Sequence, residues 1–197
     1  ASFFIAYASD AVTKPPGRHI CYKIVHKSPI DKYEKIWENY YSKRKEVRKM
    51  TKAIYFDMDG TIADLYGVDG WLDYLIAEQT KHYREAKPLV DMRKLAKILN
   101  ELQAQGWTIG IISWLSKSGS DTYGEKVAKT KEAWLKKHLG SVHFDEIKIA
   151  KYGTPKQFLA DHAFGILFDD EKPNRDAWVG EAYDVHNILQ VLTAIAA

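Results

Sequence analysis

The feature that most constrains this chain is a repeated pattern: short apolar runs that end in acidic or hydroxyl residues, separated by stretches of helical periodicity. Ala53-Ile54-Tyr55-Phe56 is a β-prone run that breaks into Asp57-Met58-Asp59-Gly60-Thr61, which predicts a buried strand followed by a tight turn. Met92, Leu95, Leu99 and Leu102 recur at helical spacing, predicting an amphipathic helix over 89–104 that Gly106 terminates. Trp107–Ile112 reads as the second strand, ending at Ser113. Val127, Trp134 and Leu135 mark another helix, closing near Gly140, and Glu146–Ile149 a short strand. Thr154-Pro155 reads as an N-cap followed by proline at the first helical position. Phe164–Phe168 is a strand running into Asp169-Asp170; Ala182–Val185 is another, and Asn187–Ala196 a terminal helix. Strands that alternate with helices need crossover connections, which implies a parallel sheet with helices on both faces. The expected fold class is α/β, Rossmann-like.

Composition agrees. The 197 residues, 46% hydrophobic and 13% aromatic, supply a core for one domain with a short appendage and exclude intrinsic disorder. No apolar run approaches the roughly 20 residues of a membrane helix. One cysteine, Cys21, excludes an internal disulfide and a thiolate zinc site. A lone cysteine suits a reducing compartment or is silent on it; the expected location is cytoplasmic.

The two ends of the chain differ in charge. Residues 1–49 hold 11 Lys/Arg against 5 Asp/Glu, net +6, leaving 18 against 21, net −3, in the remainder. Residues 1–49 are therefore expected to be a basic N-terminal extension, and 50–197 the folded domain. A basic arm of this kind offers a route to nucleic acid, although a solvated helix or tail is the plainer reading. The run Lys45-Glu46-Val47-Arg48-Lys49-Met50 also back-translates as AAG-GAG-GTG-AGA-AAA-ATG, a bacterial ribosome-binding site ahead of a start codon. The expectation is that the natural protein begins at Met50 and that 1–49 is upstream sequence read in frame.

Chemistry is expected where ligands bind in such sheets, beyond the carboxyl ends of the strands. Asp57 and Asp59 end the first strand, Ser113 the second, and Asp169 with Asp170 the one over Phe164–Phe168. Several carboxylates in one cleft repel strongly unless a cation neutralises them. An all-oxygen set with no histidine or cysteine cluster favours a hard ion, and Mg²⁺ is the usual one beside phosphate. The sequence has no GxxxxGK[ST] loop and no GxSxG elbow.

Ile54-Tyr55-Phe56-Asp57-Met58-Asp59-Gly60-Thr61 resembles motif I (hhhDxDGT) of the haloacid dehalogenase (HAD) superfamily of phosphohydrolases. Ile109-Gly110-Ile111-Ile112-Ser113 is similar to its motif II, and Gly165-Ile166-Leu167-Phe168-Asp169-Asp170 to the paired-acid form of motif IV. The resemblance implies Asp57 as the nucleophile that forms an aspartyl-phosphate, and Asp59 as the acid and base for the leaving oxygen and the water. It implies Mg²⁺ held by Asp57, the Asp59 carbonyl, Asp169 and Asp170, with Ser113 on a phosphate oxygen. The motif III lysine is expected at Lys156, with Lys151 and then Lys148 as alternatives.

Residues 62–88 remain for a small cap of one or two helices carrying Trp71, Tyr74 and Tyr83. Asp57–Leu65, and Asp169-Asp170-Glu171 followed by Asn174 and Trp178, look like small bacterial and phage 5′-nucleotidase-like members of the superfamily. Trp114 stands where those nucleotidases commonly have proline. The resemblance thus implies a phosphatase acting on a nucleotide or another small phosphorylated metabolite, with Trp71 and Trp114 placed to stack on a base. The alternatives are a nucleic-acid-end or sugar phosphatase, or a non-catalytic binding module.

Overall fold

The structure is a computed structural model that describes residues 52–197; the basic segment 1–49 and Met50 lie outside the described residues. A five-stranded parallel sheet forms the centre. Its strands are β1 (Ala53–Phe56), β4 (Thr108–Trp114), β5 (Glu146–Ala150), β6 (Ile166–Phe168) and β7 (Glu181–Tyr183), in the order β5-β4-β1-β6-β7. This is the expected α/β, Rossmann-like class. Between β1 and β4 lie β2 (Ala63–Asp64), α1 (Trp71–Ile76), α2 (Lys81–Glu85), β3 (Lys87–Pro88) and α3 (Met92–Ala104). Helix α4 (Asp121–Leu139) joins β4 to β5, α5 (Lys172–Ala177) joins β6 to β7, and α6 (Ile188–Ala196) ends the chain.

Alternation along β1 divides the core in two. Ile54 and Phe56 join Ile109, Ile111 and Phe168 beneath α3, α4 and α6, through Leu99, Leu102, Trp134, Leu135 and Leu192. Ala53 and Tyr55 face the other way with Ile112, Leu167 and Trp178. That second face is thinly covered. The helix expected after Thr154-Pro155 is only a 3₁₀ turn, Lys156–Phe158. Thr154 Oγ1 donates back to the Lys151 carbonyl at 2.8 Å instead of capping a helix.

Helix ends are otherwise well marked. Asp91 accepts from the Arg93 and Lys94 amides at the start of α3, and Ser120 from Tyr123 at the start of α4. Strand β4 runs one residue past Ser113, to Trp114. The insertion 62–88 is bracketed by the antiparallel pair β2–β3 and holds both α1 and α2, the two short helices the spacing allowed. None of the α1 residues is buried, although five of its six are Trp, Leu, Tyr, Leu and Ile. Among the described residues, no helix is long and apolar enough to cross a membrane.

Candidate active site

β1 lies at the centre of the sheet, where the chain leaves in opposite directions to β4 and β6, so its carboxyl end faces a natural crevice. The Asp57 amide is still held to the Phe168 carbonyl at 2.9 Å. After it the backbone curls: the amides of Thr61, Ile62 and Ala63 all donate to the Met58 carbonyl at 2.9–3.2 Å. Gly60 makes this turn with φ of 76°, and a Cβ there would lie 2.5 Å from Asp170 Oδ2. Met58 is buried, so Asp57 and Asp59 on either side of it share the cavity wall.

Two buried ammonium groups divide the carboxylates. Lys156, in the 3₁₀ turn, lies 2.7 Å from Asp57 Oδ1 and 2.6 Å from Asp169 Oδ2. Burial opposes its charge, but Asp57 and Asp169 outweigh burial and hold its pKa above the usual lysine value. Lys131, in the middle of α4, lies 2.6 Å from Asp59 Oδ2 and also donates to Ser113 Oγ at 3.0 Å and the Trp114 carbonyl at 2.6 Å. Of the three lysines weighed from sequence, only Lys156 reaches the acids. Lys151 is exposed, and Lys148 pairs with Asp161 at 3.8 Å.

The acidic loop after β6 is tied down from several directions. Asp169 is fully buried and accepts from the Glu171 amide at 2.9 Å and from Asn174 Nδ2 at 3.2 Å. Thr61 and Asp170 bond each other twice, through the Thr61 hydroxyl and the Asp170 amide. Arg175 Nη1 donates to the carbonyls of both Asp169 and Asp170. Burial, then Asp57, pushes the Asp169 carboxyl up, with Lys156 opposing. The same causes, with Asp169 added, push Asp170 up to about 6. The Asp59 carboxyl is likewise raised by burial, with Lys131 opposing.

Asp57, Asp59, Lys156, Asp169 and Asp170 all line one cavity of about 310 Å³. Ser113 does not; it is fully buried behind the wall, bonded to Lys131. Trp114 and Tyr152 form one aromatic pair on the cavity wall, with ring centroids 4.9 Å apart, and Tyr66 and Trp71 a second, 5.3 Å apart. Lys156 Nζ also lies 4.9 Å from the Trp114 ring centroid.

No family model and no curated protein matches this chain. Among solved structures, the chain is similar to D,D-heptose 1,7-bisphosphate phosphatase from Burkholderia thailandensis, at 14% identity and a TM-score of 0.39. That match covers 64% of this chain and 71% of the other.

Among the described residues, no three Asp, Glu, His or Cys side chains converge into a closed metal cluster. The donor chemistry at the strand ends nonetheless fits a hard cation. The available acceptors are all oxygens, and the carboxyls of Asp169 and Asp170 are raised by burial first and by the neighbouring Asp57 second, both costs of gathered negative charge that a cation would offset. Lys131 is the site residue that sequence reasoning missed. The signal was available, since Lys131 stands four residues after Val127 and four before Leu135, on the buried face of its helix.

Proposed function

We propose that this chain is a Mg²⁺-dependent phosphomonoesterase of the HAD kind, acting through an aspartyl-phosphate on a nucleotide or another small phosphorylated metabolite. The observation that carries the reading is the Asp57–Lys156–Asp169 arrangement at the mouth of the central strand, with Asp59 two residues from Asp57 on the same cavity wall. Asp57 attacks phosphorus, and the P–O bond to the leaving group breaks as that oxygen takes a proton from Asp59. Asp59, now a carboxylate, takes a proton from water, whose oxygen attacks the phosphoryl group and releases Asp57 and inorganic phosphate. Lys156 offsets the charge gathered on Asp57 and the phosphate. Ser113, expected from the sequence to hold a phosphate oxygen, lies buried behind the cavity wall on Lys131 and is given no phosphate contact. A bound Mg²⁺, held by Asp57, the Asp59 carbonyl, Asp169 and Asp170, would neutralise phosphate among the carboxylates.

The leaving group would occupy the rest of the cavity, between the aromatic pairs. Trp114 is fixed there by its Nε1 donating to the Thr154 carbonyl at 2.8 Å. Flat apolar faces on the wall favour a planar group such as a nucleobase, since every base presents a π-face. The test is phosphate release from nucleoside monophosphates, sugar phosphates and p-nitrophenyl phosphate, with Mg²⁺ and with EDTA. Turnover that needs Mg²⁺, prefers nucleotides and vanishes in Asp57→Asn is expected. No turnover by folded protein on the whole panel would overturn the reading.

A further inference from the structure

Lys131 has no part in the roles assigned above, yet it is 1% exposed. Burying an ammonium is strongly unfavourable unless it is paired and its protons are all used. Here three donors meet three oxygens, from Asp59, Ser113 and Trp114. The Tyr83 ring covers it from the cap at 5.2 Å. Two of its three bonds go to β4, and its own backbone belongs to the long helix α4. The ammonium is therefore fixed by the most regular elements in the molecule. Asp59, by contrast, sits on a turn. Among the described residues, Lys131 is the only side chain that hydrogen-bonds its carboxylate, and it takes Oδ2. Oδ1 is left unbonded, in a residue that lines the cavity.

We propose that Lys131 is a positioning residue that ties the Asp59 carboxylate to β4 and α4, leaving Oδ1 presented toward the leaving-group oxygen. The proposal rests on the phosphatase reading, and its distinctive consequence is a dependence on the leaving group. A nucleoside 5′-monophosphate expels an alkoxide that must be protonated as it leaves. p-Nitrophenolate departs near neutral pH without a proton. A misplaced Asp59 therefore harms the first substrate far more than the second. A loss that acts through Ser113 or through general loosening falls on both alike and cancels in their ratio.

The experiment measures kcat on a nucleoside 5′-monophosphate and on p-nitrophenyl phosphate for wild type, Lys131→Met, Asp59→Asn and the double variant, with folding followed by circular dichroism. Lys131→Met should lose about 30-fold more on the nucleotide than on p-nitrophenyl phosphate, a part of the roughly 10²–10⁴-fold that a positioned acid contributes. In the Asp59→Asn background, which removes the acid, adding Lys131→Met should leave the ratio unchanged. If Lys131→Met fails to fold, Lys131→Gln, whose amide keeps a polar partner for Ser113 and the Trp114 carbonyl but carries no charge for Asp59, decides by the same ratio. Equal losses on both substrates, or a further change of ratio in the double variant, would overturn the positioning role and leave the phosphatase reading standing. Silence of the wild type on both would overturn the phosphatase reading and this one with it.

Discussion

Lys156 Nζ lies 2.7 Å from Asp57 Oδ1, although one residue comes from a 3₁₀ turn after β5 and the other from the end of β1. Both are almost fully buried. A buried ammonium beside two carboxylates is stable only as a set, and it gives the strand end a fixed positive charge where phosphate charge would gather.

Lys156→Met should therefore lower kcat/KM by at least about 10²-fold, the scale of removing one preorganised electrostatic partner. It should also lower stability by about 3–5 kcal/mol, because Asp57 and Asp169 remain buried without their partner. Lys151→Met, at an exposed position, should leave both within about 0.5 kcal/mol of wild type. Phosphate release and urea denaturation check the pair; equal effects of the two variants would contradict the assignment.

Gly60→Ala probes the acidic turn. Its φ of 76° disfavours a side chain, and the new Cβ would press on the Asp170 carboxylate. We expect a loss of about 1–3 kcal/mol in stability. The Mg²⁺ concentration needed for half-maximal activity should also rise. An unchanged Mg²⁺ titration would show that Asp170 is not part of the cation site.

The insertion 62–88 holds a buried titratable group. His82 is fully buried between Tyr74 and Tyr83, and neither ring nitrogen has a partner among the described residues. Burial first, then Lys131, lowers its pKa to about 4 from 6.5. Between those values the unfolded chain binds the proton and the folded one does not. The stability due to neutral His82 is thus complete above about 6.5, declines as pH falls, and levels off below about 4. The total is about 3 kcal/mol. Urea midpoints from pH 7.5 to 4 should fall more steeply for wild type than for His82→Phe; parallel curves would contradict this.

Much of this molecule was legible in its sequence because its strands are short apolar runs and its acids follow them directly. Asp57, Asp59, Asp169 and Asp170 could be placed at strand ends from spacing, and 62–88 could be read as an insertion of one or two helices, of which the structure has two. Position ahead of the β6 strand favours Lys156 over Lys151 but does not decide between them, since both are lysines near one turn and only the folded path brings Lys156 to Asp57. Lys131 was missed for a different reason: a lysine in a charged helix reads as surface, and its burial depends on partners from the turn after β1 and from β4. The Tyr55–Glu146 bond, 2.7 Å long and buried, is equally silent in sequence because its partners meet only when β1 and β5 enter the same sheet. Thr154-Pro155 misled because threonine hydroxyls also bond backward to carbonyls, as Thr154 does.

Specificity is open to a direct test on the cavity wall. Trp71→Ala should raise KM for nucleoside monophosphates by about 5–100-fold, the equivalent of roughly 1–3 kcal/mol per stacked base. KM for ribose 5-phosphate, which has no base, should change little. Equal effects on both substrates would remove the stacking role from Trp71.

The central claim is that Asp57 carries the phosphoryl group. The direct measurement is rapid acid quench of the enzyme turning over ³²P-labelled substrate with Mg²⁺, followed by peptide mapping of the retained label. The account predicts label on the peptide containing Asp57, more of it in Asp59→Asn when the substrate is p-nitrophenyl phosphate, whose leaving group needs no proton while the water lacks its base, and none in Asp57→Asn. Turnover with no label on Asp57 at any quench time, or label retained in Asp57→Asn, would contradict it.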